Sequence, residues 1–220
     1  MNDQVQYFTS LGWDDILFLG EAAIRTLAIS LAAISVGTIL GVIFGWLLTV
    51  RNTVLNLSIA SVLDAFRSVP LLIQLILFDS FVAIAGFPMT AFWSGTIVLS
   101  FYTAGLVAMV TKSGIESVST SMRRAARSLG MSYGQDMRYI VWPIGLRAVL
   151  PSWIGVALSV VKDSALVSAI GYVELLRASQ ILTTKTQESF KIMLLIGLFY
   201  FLLSYPIARA GELIEEKWKR

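Results

Sequence analysis

Long charge-free runs alternate along this chain with short polar, basic stretches. Residues 27–50 hold no charged side chain, enough to supply the ~20 apolar residues that cross a bilayer as a helix. A second span begins near Leu57 and meets Pro70. Proline removes a backbone donor and bends or interrupts a helix. In lipid the freed carbonyl must find protein or water, so this backbone faces a bundle or a cavity. Residues 80–111 also lack charge, too long a run for one span. Gly86-Phe87-Pro88 marks a turn, leaving a third span over Ala91 to Thr111. A fourth covers Ser152 to Ile170, and a fifth Ile192 to Ala208, with Pro206 near its inner end. The pattern predicts an all-α, polytopic membrane protein with about five transmembrane helices, one domain over residues 1–220.

Within the first span Gly37, Gly41 and Gly45 line one face. Such small-residue faces let membrane helices approach closely, and packing inside one subunit is preferred here over dimerisation. Residues 1–25 carry Asp3, Asp14, Asp15 and Glu21 with no basic residue before Arg25. That is the reverse of a signal peptide's leading region, so no cleaved signal is expected, only a short amphipathic lead-in outside the membrane. Residues 171–191 read as a polar outer connection with Thr183-Thr184-Lys185-Thr186 exposed. The end from Glu212 reads as a short charged surface helix.

The stretch from Gly114 to Pro151 separates two spans and is polar and basic. Met122, Ala125, Ala126 and Leu129 fall at i, i+3, i+4, i+7, which makes one apolar stripe on a short helix. Arg123, Arg124 and Arg127 lie off the stripe, Arg127 in the last turn where a cation complements the helix dipole. Gly130 stands at the stop position. Ser132 and Gln135 form the pattern of a capping box opening a second short helix, expected to end before Pro143. A helix of about nine residues is marginal alone in water, so the stripe needs a surface to lie on.

Composition sharpens this. The chain is 56% hydrophobic and only 14% charged, with a mean hydropathy of +0.76, whereas soluble domains average about 25% charged. It has no cysteine and no histidine, which excludes disulfides, thiol catalysis, zinc sites and histidine proton relays. The net charge of +3 is explained by topology and implies no nucleic acid.

Two groups of polar residues invite function. Lys162 and Asp163 lie within the fourth span, where a charge costs about 2.5–3.5 kcal/mol on insertion scales. Neighbours on a helix point about 100° apart, so each needs its own partner: an interhelical ion pair, or a substrate. Asp64 and Arg67 are three apart and can pair along one helix face.

Several motifs resemble the permease subunits of ABC importers. Ala125-Ala126, Gly130 and Ile140-Val141-Trp142-Pro143 are similar to that family's EAA loop, a cytoplasmic coupling helix that docks into a groove of the ATPase subunit. Arg124 stands where the family usually has Glu, and Trp142 where it has Leu. Phe66-Arg67-Ser68-Val69-Pro70-Leu71-Leu72-Ile73-Gln74 resembles the F-R-G-T-P-L-L-x-Q motif of the polar amino-acid uptake branch. The segment from Ser100 to Val118 is similar to A-x-Y-x-A-E-I-x-R-x-G-I-E-S-V, with Met109 at the acidic position and Lys112 at the Arg position. Val160 to Ser179 resembles L-K-D-T-S-L-V-S-x-I-G-x-x-E-L.

The resemblance implies a type I ABC importer permease fold with a coupling loop at about 112–148. Met122, Arg123, Arg124, Ala125, Ala126, Leu129, Gly130 and Pro143 would serve ATPase coupling. Arg67, Gln74, Lys162, Asp163 and Ser164 are candidates for the substrate pathway. The partners implied are an ATP-binding subunit, a second permease subunit and an extracytoplasmic amino-acid-binding protein. Met109 and Arg124, both at usually acidic positions, favour a hetero-pair of permeases over a homodimer.

No G-x-x-x-x-G-K-[ST] run is present to cradle phosphates. The chain is thus expected to be non-catalytic, binding no cofactor or metal, with ATP and Mg on the partner ATPase. Arg51, Lys112, Arg123, Arg124, Arg127, Arg138, Arg147 and Arg209 through Arg220 collect on one side, against Arg25, Arg177, Lys185 and Lys191 on the other. The resemblance implies a bacterial inner membrane, and the positive-inside rule then puts the N-terminus outside and the C-terminus in the cytoplasm. An ion-gradient-driven secondary transporter or channel subunit is the alternative, and would need no partner ATPase.

Overall fold

The computed structural model describes residues 10–219. The acidic residue Asp3 and the rest of the expected lead-in before residue 10 lie outside the described residues. The elements are α1 (Trp13–Leu47), α2 (Thr53–Ser68), α3 (Leu71–Ile84), α4 (Ala91–Glu116), α5 (Thr120–Ser128), α6 (Tyr133–Asp136), α7 (Trp142–Asp163), α8 (Leu175–Thr186) and α9 (Ser189–Lys219). Among the described residues there is no strand. Four helical stretches can cross a membrane unbroken, and α2 with α3 makes a fifth span if counted as one pair, bent by 99°.

α4 is the central helix. Of its most apolar window 67% is buried, against 11% for α9, so α9 shows most of its surface to lipid. α1 runs along one side of α4 and α7 along the other, with α3 closing a third. The glycine face of α1 makes the first contact possible. A Cβ on Gly37, Gly41 or Gly45 would stand 2.5 Å from Thr103 Cβ, 2.5 Å from Val107 Cβ, or 2.6 Å from Ala108 O. These glycines therefore serve packing inside the subunit. Gly114 and Gly145 do the same where α4 crosses α7: a Cβ on Gly145 would sit 2.6 Å from Gly114 O.

The break at Pro70 is closed by one side chain. Proline leaves the Phe66 carbonyl without its helical donor, and Gln74 Nε2 donates to Phe66 O at 2.6 Å and to Val69 O at 2.7 Å. The expected turn is also present, with Gly86 at φ +80°.

Four expectations need correction. The first helix starts at Trp13, not near Leu27. Its acidic first turn suits the positive helix end, and Asp15 Oδ2 accepts from the Gly12 N–H at 2.9 Å. Residues 171–191 are no exposed connection: they contain α8, whose Leu175, Ala178 and Leu182 pack with Leu19, Ala22 and Ile192. Thr186 is buried, while Thr184 and Lys185 are exposed. The second short helix does not end before Pro143. It widens into a π turn over Met137–Val141 and runs on as α7, with Pro143 directly after the change of helical register, where π turns and prolines are accommodated together. Finally, the chain from Glu212 is no separate surface helix but the last part of α9, continuous through Pro206.

Polar ties fasten α8 to α1. Lys185 Nζ pairs with Asp15 Oδ1 at 2.7 Å, the Leu175 N–H donates to Thr26 Oγ1 at 3.2 Å, and Tyr172 OH donates to Arg25 O at 3.2 Å. Glu174 is fully buried and caps α8, accepting from the Leu176 and Arg177 N–H groups and from Tyr200 OH. Burial pushes its carboxyl up, against the pull of those hydrogen bonds.

Candidate functional site

Two regions carry the candidate chemistry. The first is the loop built on α5. Ser119 caps it, its Oγ accepting from the Met122 N–H at 3.3 Å. The helix ends with the Met131 N–H donating to Ala126 O and the Gly130 N–H to Arg127 O. That pair of bonds is a Schellman close, and it holds Gly130 at φ +87°, a conformation that costs any residue with a Cβ roughly 1–2 kcal/mol. The capping box at α6 is present as read: Ser132 Oγ accepts from the Gln135 N–H and Gln135 Oε1 from the Ser132 N–H.

The apolar stripe is divided. Leu129 is 86% exposed, Met122 47% exposed and Ala126 only 5% exposed; Ala125 is also exposed. Ala126 faces its own chain, so its place in an outward docking stripe is corrected. Arg123 turns inward as well, its Nε and Nη2 both 2.9 Å from Asp136 Oδ2. Asp136 is completely buried. Nothing in the sequence singled it out, because one acid in the first turn of a short helix is ordinary. Arg124 and Pro143 lie exposed on the loop and at the start of α7. The open apolar face is thus Met122, Ala125 and Leu129.

The second group of candidates lies on α2 and α7, each of which packs against α4. Arg67 stands 3.7 Å from Asp64, the helix-face pair foreseen, and its stem lies 3.5 Å from where a Cβ on Gly105 would be. Asp163, at the end of α7, accepts from Ser159 Oγ at 3.4 Å and makes no ion pair within 4 Å among the described residues. Lys162 is exposed. Two candidates are otherwise engaged: Ser164 is buried with its hydroxyl donated to Val161 O at 2.8 Å, and Gln74 bridges the broken helix. The structure therefore leaves Gln74 and Ser164 to the backbone, while Arg67 and Asp163 each meet a polar partner on their own helix.

Residues 37–220 match the family described as binding-protein-dependent transport system inner membrane component. The chain belongs to that family. It is a multi-pass permease of the inner membrane. This permease is 27% identical over 212 residues to the probable glutamine ABC transporter permease protein GlnM of Bacillus subtilis (strain 168), covering 96% of this chain and 98% of that one. It is 30% identical to the putative glutamine transport system permease protein GlnP of Rickettsia felis, over 92% of this chain and 93% of that one. Among solved structures it resembles an amino acid ABC transporter crystallised with histidines, with a TM-score of 0.85, 26% identity, and coverage of 95% of this chain and all of that one.

Proposed function

We propose that this permease subunit passes a polar amino acid or a similar small zwitterion across the membrane, driven by a separate ATPase docked on α5. The observation that carries the substrate reading is Asp163: a carboxylate at the end of α7 that makes no ion pair among the described residues. The ammonium of a zwitterion complements that carboxylate. The names of the relatives, which concern glutamine and histidines, support the same class. An extracytoplasmic binding protein would deliver the substrate, and the second permease would be a distinct chain, since Met109 and Arg124, both exposed here, stand at positions that are usually acidic in the family. ATP and Mg would be held by the ATPase.

The test is uptake into liposomes carrying the assembled transporter. Uptake should require ATP, the ATPase and the binding protein together. Uptake driven by an ion gradient with no ATPase would overturn the proposal in favour of a secondary transporter. In the same assay Asp163→Asn should lower uptake by at least about tenfold, equivalent to ~1.4 kcal/mol, with assembly and basal ATP hydrolysis intact. Collapse of the assembly would instead make Asp163 a structural group.

Orientation follows from the same reading. Ser121 on α5 and Thr184 on α8 are both exposed and lie at opposite ends of the bundle. Cysteines placed there should react with an impermeant thiol reagent from opposite sides, Thr184→Cys from outside. Labelling of both from one side would refute the five-span topology with the N-terminus outside.

A further inference from the structure

Between the end of α1 and the turn joining α5 to α6 lies a cleft of about 790 Å³, walled by Arg51, Arg123, Arg127, Trp46, Tyr133 and Asn56 among others, with no acidic side chain lining it among the described residues. Arg123 is already neutralised by Asp136. Arg51 and Arg127 have no ion-pair partner among the described residues. Two like charges gathered in one cleft repel unless an anion sits between them. We propose that this cleft binds a phosphate group, carried by an anionic membrane lipid.

The depth of the cleft selects the lipid. α1 is apolar down to Leu47, and Arg51 follows within one short turn, so the cleft opens where the hydrocarbon ends. Trp46 and Tyr133 at its wall, 37% and 44% exposed, are the side chains that settle at headgroup level. Basic pockets between helices at this depth bind anionic headgroups. Asn56 adds a detail. Its Nδ2 donates to Val50 O at 2.9 Å, which steadies the turn bearing Arg51, while its buried Oδ1 has no partner. Two unpaired guanidiniums in one cleft match the phosphodiester of an anionic lipid such as phosphatidylglycerol.

An acidic segment of the ATPase is the competing occupant. Taking the ATPase on the Met122–Leu129 face, as proposed above, leaves the cleft free. At about 100° per residue, Arg123 and Arg127 lie roughly 140° around α5 from that face.

The experiment uses the assembled transporter, delipidated in detergent and titrated with phosphatidylglycerol or phosphatidylcholine, with bound lipid counted by native mass spectrometry. The complex should retain phosphatidylglycerol selectively. Arg51→Gln with Arg127→Gln should weaken that binding by about thirtyfold, the effect of two interfacial arginines. Arg138→Gln, on an exposed arginine outside the cleft lining, should not. Equal retention of phosphatidylcholine, or unchanged binding in the double variant, would overturn the proposal. Displacement by millimolar inorganic phosphate would make it a soluble-phosphate site and overturn the lipid assignment. Should the double variant fail to assemble, a photoactivatable phosphatidylglycerol on the unaltered complex decides. Labelling of the Arg51–Asn56 segment or Tyr133 supports the site, whereas labelling elsewhere, or a crosslink from Arg51→Cys to the ATPase, refutes it.

Discussion

Aspartates at Met122 and Leu129 together are expected to abolish transport, and stimulation of the ATPase by loaded binding protein, while the chain still inserts and folds. Leu129 is 86% exposed and Met122 47% exposed, so neither side chain supports the fold of its own subunit. A nine-residue helix cannot stand by itself, but here its end is closed by Gly130 and its inward face held by Ala126 and Arg123. The apolar face is left over for a partner. Full burial of each side chain is worth up to about 1.5–3 kcal/mol, and a buried unpaired carboxylate adds a further cost. Removing both contacts should weaken the docked state by about 100-fold or more. Cysteines at Met122, Ala125 and Leu129 should crosslink to the ATPase, and cysteine at Ala126 should not. If Ala126 crosslinks and Leu129 does not, the helix has been faced the wrong way. If no position crosslinks, the coupling assignment fails.

Arg123→Met should loosen the loop from within. It strands the Asp136 carboxylate, which has no exposed surface and whose Oδ1 already lacks a protein partner. Removing one member of a buried ion pair typically costs about 3–5 kcal/mol, while replacing both with apolar groups of similar volume is often neutral or better. Hydrogen exchange over residues 119–137 should therefore accelerate strongly in Arg123→Met, and recover in Arg123→Met with Asp136→Leu. Unchanged protection in the single variant would show that the pair is not what holds α5 to α6. The distinction from the docking variants is direct: those leave protection intact and lose coupling, whereas this one loses both.

These two experiments separate what each residue's position in the chain reveals from what its surroundings impose. The stripe at Met122, Ala125, Ala126 and Leu129 was visible because helical spacing alone puts those positions on one side. Which edge of that stripe faces the protein depends on how α5 tilts against α6, and Asp136 sets that tilt through Arg123. Spacing cannot register a contact across thirteen residues of loop. Gln74 gives the same lesson. The broken helix at Pro70 was readable, and so was the need to satisfy a freed carbonyl, but not that Gln74 itself would supply the donor. The bilayer explains why so much else was legible. In hydrocarbon the backbone must satisfy its own hydrogen bonds, so apolar length decides the spans and glycine spacing decides which face of α1 can touch α4. At the outer end that rule is weaker, and α8 was misread as a connection. Its helix is held by tertiary ties to Thr26, Arg25 and Asp15.

Taken alone, then, the sequence determined the all-helical membrane architecture, the bend at Pro70, the packing face of α1 and the short capped helix after α4, because each follows from local backbone demand in lipid or at a helix end. Only the tertiary structure decided that Ala126 and Arg123 turn inward and that Gln74 and Ser164 serve the backbone. Those outcomes depend on which helices meet, and a charge or a hydroxyl takes its role from the partner that the fold brings within reach.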